Sequence, residues 1–359
     1  MDILIKILLI FIGILFFSLI ILIHEFGHFF TAKLSGVRVN EFALGMGPKI
    51  LKFQRGETLY TLRLFPIGGF CAMEGEDEES EKDGSFRKAA VWKRMIIIVA
   101  GALLNVLLGL ILTIVILVQR PYFNSTTVDA FKDTSVSQRE LSAGDRIESV
   151  NGYKISTFLD LNFAIMVNFK CNKNSPVTMV VNREGKKITL NKVEFDTEKA
   201  DDGKELPTTG FLMKKIDKNF GTVLAQSAKY TISNVRTVWE SLSLLITGKL
   251  GINDVAGPIG MISGVGKAAT DGLQENIGKA INNITQAMMS ITVNLGVFNL
   301  LPFPALDGGR FVFLLIESIR KKPINPKYEG IIHAVGFILV LALMAVCTFS
   351  DVFKIFRRA

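Results

Sequence analysis

Cysteine is scarce in this chain. Cys71, Cys171 and Cys347 stand alone among 359 residues. An odd, scattered set forms neither a C-x-x-C metal or redox site nor a disulfide framework. Nucleic-acid motifs are lacking as well. The net charge of +8 comes from lysines and arginines spread along the chain, the pattern of solvated loops and membrane-retention signals rather than of a nucleic-acid surface. The glycine-rich stretch 254–266, DVAGPIGMISGVG, has neither the pattern nor the preceding strand of a phosphate loop, which excludes nucleotide binding there. Paired, repeated halves of the transporter kind are not visible. Charge is modest overall: the sequence is 49% hydrophobic, with a mean hydropathy of +0.37. That is too apolar for an ordinary soluble domain and points to membrane spans.

Against these absences stands one short motif. His24, Glu25, Phe26, Gly27 and His28 read HEFGH. On a helix, positions i and i+4 share a face, so both imidazoles can address one metal ion. Glu25 lies beside the first of them, where a carboxylate can take a proton from a metal-activated water. The residues before it, 7–23, are apolar or small without interruption, so the motif falls inside a membrane helix. Residues 4–30 are long enough to span. No small-residue cleavage site follows, so this segment is read as a retained span rather than a signal peptide.

Residues 31–92 form a loop rich in glycine and charge. Within it, ETLYTLRLFPIGGFCAM over 57–73 alternates at Thr58, Tyr60, Leu62 and Leu64 and is punctuated by Pro66, Gly68 and Gly69. This suits a hairpin or short sheet, either cytosolic or dipping into the membrane beside the metal motif. The acidic run 74–81 reads as a solvated surface stretch without a function. Residues 93–118 give a second span with Asn105 at its middle, an amide that packs against another helix or approaches the metal motif. Eleven lysines and arginines fall between Lys33 and Arg94, against Lys6 alone before the first span. The positive-inside rule puts that loop in the cytoplasm and the N-terminus outside.

Residues 121–213 read as a small α/β domain on the outer side, with short strand-like runs and turns at Asn151-Gly152 and Glu184-Gly185. LSAGDRIESVNGYKI over 141–155 is similar to a segment of PDZ domains, which bind extended peptides at a sheet edge. The alternative is a β domain that only shields the membrane site. Residues 219–250 are helical and amphipathic by spacing, with a stripe through Leu224, Ala228, Ile232, Val235, Trp239, Leu242 and Leu245. A span over about 284–301 runs into NLLPFPALDGG, where Pro302 and Pro304 break the helix. Asp307 then opens the next helix. An aspartate there is a natural N-cap, yet a carboxylate between spans is costly, and two membrane histidines need a third protein ligand to hold zinc and leave a position open. A last span covers 329–350 after the basic loop 320–327, giving four spans with both termini outside. The tail basics Lys354, Arg357 and Arg358 lie on the side the positive-inside rule disfavours. His333 in this last span reads as a packing residue, because no second ligand stands at helical spacing from it.

The ordered set HEFGH, FPIGGFCAMEGE, a PDZ-like insert, GPIG and NLLPFPALDGG resembles the site-2 protease family of intramembrane zinc metalloproteases, specifically the bacterial regulator of sigma-E protease group in its shorter form with one PDZ domain. The resemblance covers nearly the whole chain, and the core motifs show no departure. Residues 128–141 do depart from a clear PDZ pattern and leave a peptide groove unassigned. The resemblance implies Zn2+ held by His24, His28 and Asp307, with Glu25 as general base and Asn299 holding substrate or the oxyanion. It implies that the segment with Leu62, Leu64, Gly68 and Gly69 is a membrane-reentrant β-loop presenting substrate as an added strand, with Pro302 and Pro304 lining the same site. The implied substrates are single-span membrane proteins such as anti-sigma factors already trimmed by another protease, or remnant signal peptides. The implied location is the bacterial cytoplasmic membrane, with the active site near its inner side.

The expected fold is thus a polytopic α-helical membrane protein with about four transmembrane helices, a membrane-associated β-hairpin loop and an inserted extracytoplasmic PDZ-like α/β domain. The expected divisions are residues 1–120, 121–213, 214–280 and 281–359. Competing readings are a soluble gluzincin with Glu41 as third ligand, disfavoured by the apolar spans, and a non-catalytic membrane adaptor, disfavoured by the complete ligand set.

Overall fold

The computed structural model describes residues 3–358 except 77, 79, 133–134, 173, 200–204 and 252–256. The first part of the glycine-rich stretch therefore lies outside the described residues. In chain order the main elements are α1 (Ile3–Ser35), β1 (Val39–Arg55), β2 (Thr58–Met73), α2 (Val91–Gln119), β3 (Tyr122–Phe131), β4 (Arg146–Val150), β5 (Tyr153–Lys154), α3 (Phe158–Asn172), β6 (Val177–Arg183), β7 (Lys186–Val193), β8 (Asp196–Lys199), β9 (Glu205–Thr208), β10 (Phe211–Asp217), α4 (Phe220–Ile246), α5 (Pro258–Glu275), α6 (Ile277–Asn299), α7 (Asp307–Arg320) and α8 (Pro326–Arg358). They divide into two compact units, residues 1–112 with 252–359, and residues 113–251.

In the first unit, three helices are long and apolar enough to cross a membrane: Phe11–Ser35 within α1, α2, and Lys327–Phe353 within α8. α6 was expected to be a fourth. It carries Thr285, Gln286, Ser290 and Asn294, and it is not among the helices that meet that measure. Small residues let backbones approach closely where these helices cross. A methyl at Gly27 would come 2.6 Å from the Ala100 carbonyl oxygen, and one at Gly296 2.8 Å from that of Ala102. Thus α2 touches α1 on one side and α6 on the other within three consecutive residues. The glycine-rich stretch enters α5 rather than a loop. There Gly257 and Gly260 admit Asp351 of α8, whose carboxylate accepts the Gly260 N–H at 2.8 Å.

β1 and β2 are long strands that bend and pair twice. Glu41 to Leu44 pair with Leu59 to Leu62 on one side and with Gly69 to Ala72 on the other, while the far end of β1 pairs with the start of β2. Glycines at positive φ, Gly45, Gly47 and Gly68, allow the bends. The resulting sheet has the segment 69–73 at one edge.

Two ion pairs tie α7 to its neighbours. Arg94 of α2 binds Glu317 through both carboxylate oxygens at 2.6 and 3.0 Å, and Arg310 pairs with Glu76. The acidic run after β2 is therefore not simply a solvated surface. Glu76 reaches α7, and Glu74 is buried with Asn40, Ser80 and Lys82 as donors. The Ser80 hydroxyl and the Asn40 amide hold the Glu74 carboxyl down at about 2.

The second unit centres on an antiparallel sheet in the order β10-β3-β4-β6-β7, with β5 paired to β4 and a separate β8-β9 hairpin. Asn151-Gly152 and Glu184-Gly185 both have positive φ at two successive residues, the conformation of tight hairpin turns whose twist matches the strands. Val177, Met179 and Val181 alternate inward on β6 and are fully buried with Ile147, Val150 and Leu161. Each such side chain contributes roughly 1.5–3 kcal/mol. On α4, Ser227, Thr231, Ser233 and Val238 are buried, while Leu224, Ile232 and Trp239 of the expected stripe are exposed.

Candidate metal centre

The helical turn of α1 stacks His24 and His28, both buried. Their Nε2 atoms are 3.2 Å apart. The proline-broken segment after α6 ends in Asp307, which brings Oδ2 to 3.1 Å from His24 Nε2 and 3.3 Å from His28 Nε2. Three donor atoms at about these separations match the edges of a tetrahedron around a metal with bonds of about 2.0–2.1 Å to nitrogen and oxygen. Oδ2 of Asp307 is buried and has no hydrogen-bond partner among the described residues, although a buried carboxylate ordinarily acquires one. A cation between the three atoms would answer that charge, and the donor set of two imidazoles and a carboxylate suits zinc. These three residues are the group of possible ligands found among the described residues.

The surroundings on α2 are shaped to the two rings. His28 Nδ1 lies 2.8 Å from the Ile97 carbonyl. One helical turn on, Gly101 leaves room for both imidazoles: a methyl there would be 2.4 Å from His28 Nε2 and 2.9 Å from His24 Cε1. A further turn on, Asn105 is fully buried and its Nδ2 is 3.3 Å from His24 Nδ1. Asn299, the last residue of α6, points its Nδ2 to 3.3 Å from His24 Nε2. Glu25 is half-buried and faces Gly69, where a methyl would sit 3.6 Å from Glu25 Cγ and 2.9 Å from the Ala43 carbonyl oxygen. The edge segment 69–73 therefore runs directly past the glutamate.

The structure brings together His24, His28, Asp307, Asn299 and Glu25, with Gly69 beside the last. Other residues singled out from the sequence are placed differently. Leu62 and Leu64 are exposed, and Leu62 belongs to an inner strand between Leu44 and Leu51. Gly68 is a bend at φ 86° against Met46. Pro302 is exposed, while Pro304 abuts Gly336 of α8, where a methyl would lie 2.4 Å from its Cβ. His333, on the same helix, accepts the Ala305 N–H at 3.1 Å, holding a residue at φ 80° just ahead of Asp307. Glu41 is occupied by Thr61, Arg63 and Lys49. Burial opposes its ionisation, but the hydrogen bonds from Thr61, Arg63 and Lys49 outweigh that and lower its pKa. Sequence reasoning missed Gly101 and the Arg94–Glu317 and Arg310–Glu76 pairs. The available signal was a glycine in an apolar span and charges flanking the Asp307 helix.

Two histidines one turn apart on a membrane-length helix, a carboxylate from a second helix and an adjacent glutamate define a metallohydrolase centre set among apolar helices. The profile of peptidase family M50, the site-2 protease family, matches residues 12–343, and the chain belongs to that family. It is a membrane-integral, zinc-dependent metalloprotease. A Clostridium acetobutylicum protein provisionally named a zinc metalloprotease is 35% identical over 95% of this chain and 96% of its own length. A Fusobacterium nucleatum protein provisionally named in the same way is 30% identical over 96% and 99%. RasP of Bacillus subtilis, named a regulator of sigma-W protease, is 28% identical over 96% and 98%.

Proposed function

We propose that His24, His28 and Asp307 hold the zinc and that Glu25 is the general base of an endopeptidase cutting single-span membrane proteins within the bilayer. The observation that carries the assignment is the triangle of Nε2, Nε2 and Oδ2 atoms, with a buried carboxylate oxygen that has no hydrogen-bond partner among the described residues. Zinc bound there supplies Lewis acidity, which acidifies water and polarises the scissile carbonyl. Glu25 takes the proton from the attacking water and passes it to the leaving amine. The Asn299 amide donates to the oxyanion as charge develops on the carbonyl oxygen.

A helical substrate has its carbonyls engaged and must extend before it can react. The outer edge of segment 69–73, next to Glu25 and paired with no further strand among the described residues, offers main-chain groups for an added strand. Gly68 and Gly69 shape that edge, with Pro302 and Pro304 holding the approach to Asp307, and Leu62 and Leu64 contact the flanking apolar chain. In this reading α6 completes a set of four spans and the β1–β2 loop enters the membrane. Residues 121–213 form the PDZ-like extracytoplasmic domain, residues 214–280 connect it to the last spans, and the site opens toward the cytoplasm. Anti-sigma factors are the substrates favoured by the name of the Bacillus relative, with remnant signal peptides as a second class.

The test compares membrane proteomes of cells carrying wild type or Glu25→Gln. Single-span fragments accumulate in the variant, while the purified variant stays folded and zinc-loaded. Unchanged cleavage by Glu25→Gln overturns the assignment, and would turn attention to the adaptor reading, in which the insert only binds peptides.

A further inference from the structure

We propose that Asn105 is a positioning residue that fixes the tautomer of His24 by accepting its Nδ1–H. The inference rests on His24 being a metal ligand through Nε2. Ligation through that atom needs its lone pair free, so the imidazole proton must sit on Nδ1 and find an acceptor there. For His28 the acceptor is the Ile97 carbonyl at 2.8 Å. For His24 no backbone carbonyl among the described residues does this. Its Nδ1 is approached by two side-chain amides, Asn105 at 3.3 Å and Asn299 at 3.5 Å. Asn299 also lies 3.3 Å from Nε2, so it addresses the ligating side of the ring, whereas Asn105 addresses Nδ1 alone.

Asn105 has an unmet need of its own. It is 0% exposed, and its Oδ1 has no hydrogen-bond partner among the described residues. A half-turn of its amide brings the oxygen to Nδ1, where it accepts the proton that ligation places there. Ile97, Gly101 and Asn105 recur every fourth residue along one face of α2. That face serves both rings: a carbonyl for His28, a gap for the metal side, and an amide oxygen for His24.

The competing role is packing, since Asn105 also meets α6, where a methyl on Gly296 would lie 3.3 Å from Asn105 Cβ. The two roles differ in what they tolerate. A carboxylate accepts from Nδ1–H as well as an amide does, but a packing site buried in a membrane helix tolerates alanine better than a carboxylate.

The experiment purifies wild type, Asn105→Ala, Asn105→Asp and His24→Ala in detergent. It measures zinc affinity by competition with a chromophoric chelator, alongside the melting temperature of the zinc-free protein. Asn105→Ala weakens zinc binding about 10–100-fold, and Asn105→Asp restores it to within a few-fold of wild type. Wild-type zinc affinity in Asn105→Ala, or an Asp variant at least as impaired as the Ala variant, overturns the proposal. His24→Ala separates the two layers of the argument: undiminished zinc binding there strikes the ligand assignment itself. Should Asn105→Ala not fold, the Asp variant decides alone, with near-wild-type zinc affinity supporting the role and a loss beyond about tenfold overturning it.

Discussion

Two aspartates, one in each unit, show how the same side chain is put to opposite uses. Asp160 in the insert is 0% exposed and saturated. It accepts from the backbone N–H groups of Ser156 and Thr157, from the hydroxyls of Thr157 and Ser233, and from Arg236 at 2.7 Å. Every one of these donors comes from the same unit, and Ser156 and Thr157 lie just ahead of it in sequence. Asp307 is flanked instead by two imidazole nitrogens, and its buried Oδ2 has no hydrogen-bond partner among the described residues. A buried carboxylate is tolerable only when its charge is answered. At Asp160 the protein answers it and the residue is structural. At Asp307 the two imidazoles and the carboxylate form a group that could hold a cation to answer it.

The contrast can be broken by exchanging what each aspartate loses. The largest effect is expected for Asp307→Asn, which removes the anionic oxygen. Zinc affinity falls by more than the roughly 100-fold typical of outer-shell changes, and cleavage is lost with it. The zinc-free protein also loses the contacts of Oδ2 with His24 and His28, so its melting temperature should fall, but by far less than zinc binding does. Metal analysis after gel filtration and calorimetry of the apoprotein check the two halves. Asp160→Ala should do the reverse: it strands Arg236 and several donors and destabilises the insert by about 3–5 kcal/mol, while zinc content stays at the wild-type level. Denaturation followed by insert-specific hydrogen exchange would report it.

Gly101→Ala tests whether α2 must stay clear of the rings. Its methyl overlaps both imidazoles, and overpacking of this kind costs about 1–3 kcal/mol. The expected result is reduced zinc loading, with Gly109→Ala, where the neighbour is the Val293 side chain rather than a ligand, retaining it. The smallest effect concerns pH. Glu74 is held at about 2 against an ordinary 4.5. A lowered pKa means the folded form binds fewer protons, so its contribution to stability is present above about 4.5 and is lost as pH falls toward 2. Glu74→Gln should flatten the acid limb of a stability profile measured between pH 5 and pH 2.5, on the order of the window just stated. An unchanged acid limb would remove Glu74 from that account.

Much of the first unit was legible because local rules suffice there. The spacing of His24 and His28 fixes them on one helical face, the prolines at 302 and 304 break the chain between α6 and α7, and Asp307 opens the next helix as read. The turns at Asn151-Gly152 and Glu184-Gly185 follow from the freedom of glycine at positive φ. The helix in the glycine-rich stretch was not legible, because glycine disfavours helix on its own. Close approach of Asp351 to Gly257 and Gly260 overrides that propensity. The acidic run was misread for a similar reason: Glu74 and Glu76 look solvated until Asn40 and Arg310 are brought to them.

By itself, then, the amino-acid order determined the residue types of the metal chemistry, the helix that carries the histidines and the break that precedes the aspartate, since each depends on neighbours within a few positions. Only tertiary structure decided that Oδ2 of Asp307 meets both Nε2 atoms, that Gly69 rather than Leu62 faces Glu25, and that Ile97, Gly101 and Asn105 of α2 form the wall behind the histidines. These are contacts between distant segments, set by how closely helices and strands can pack, and no local period encodes them.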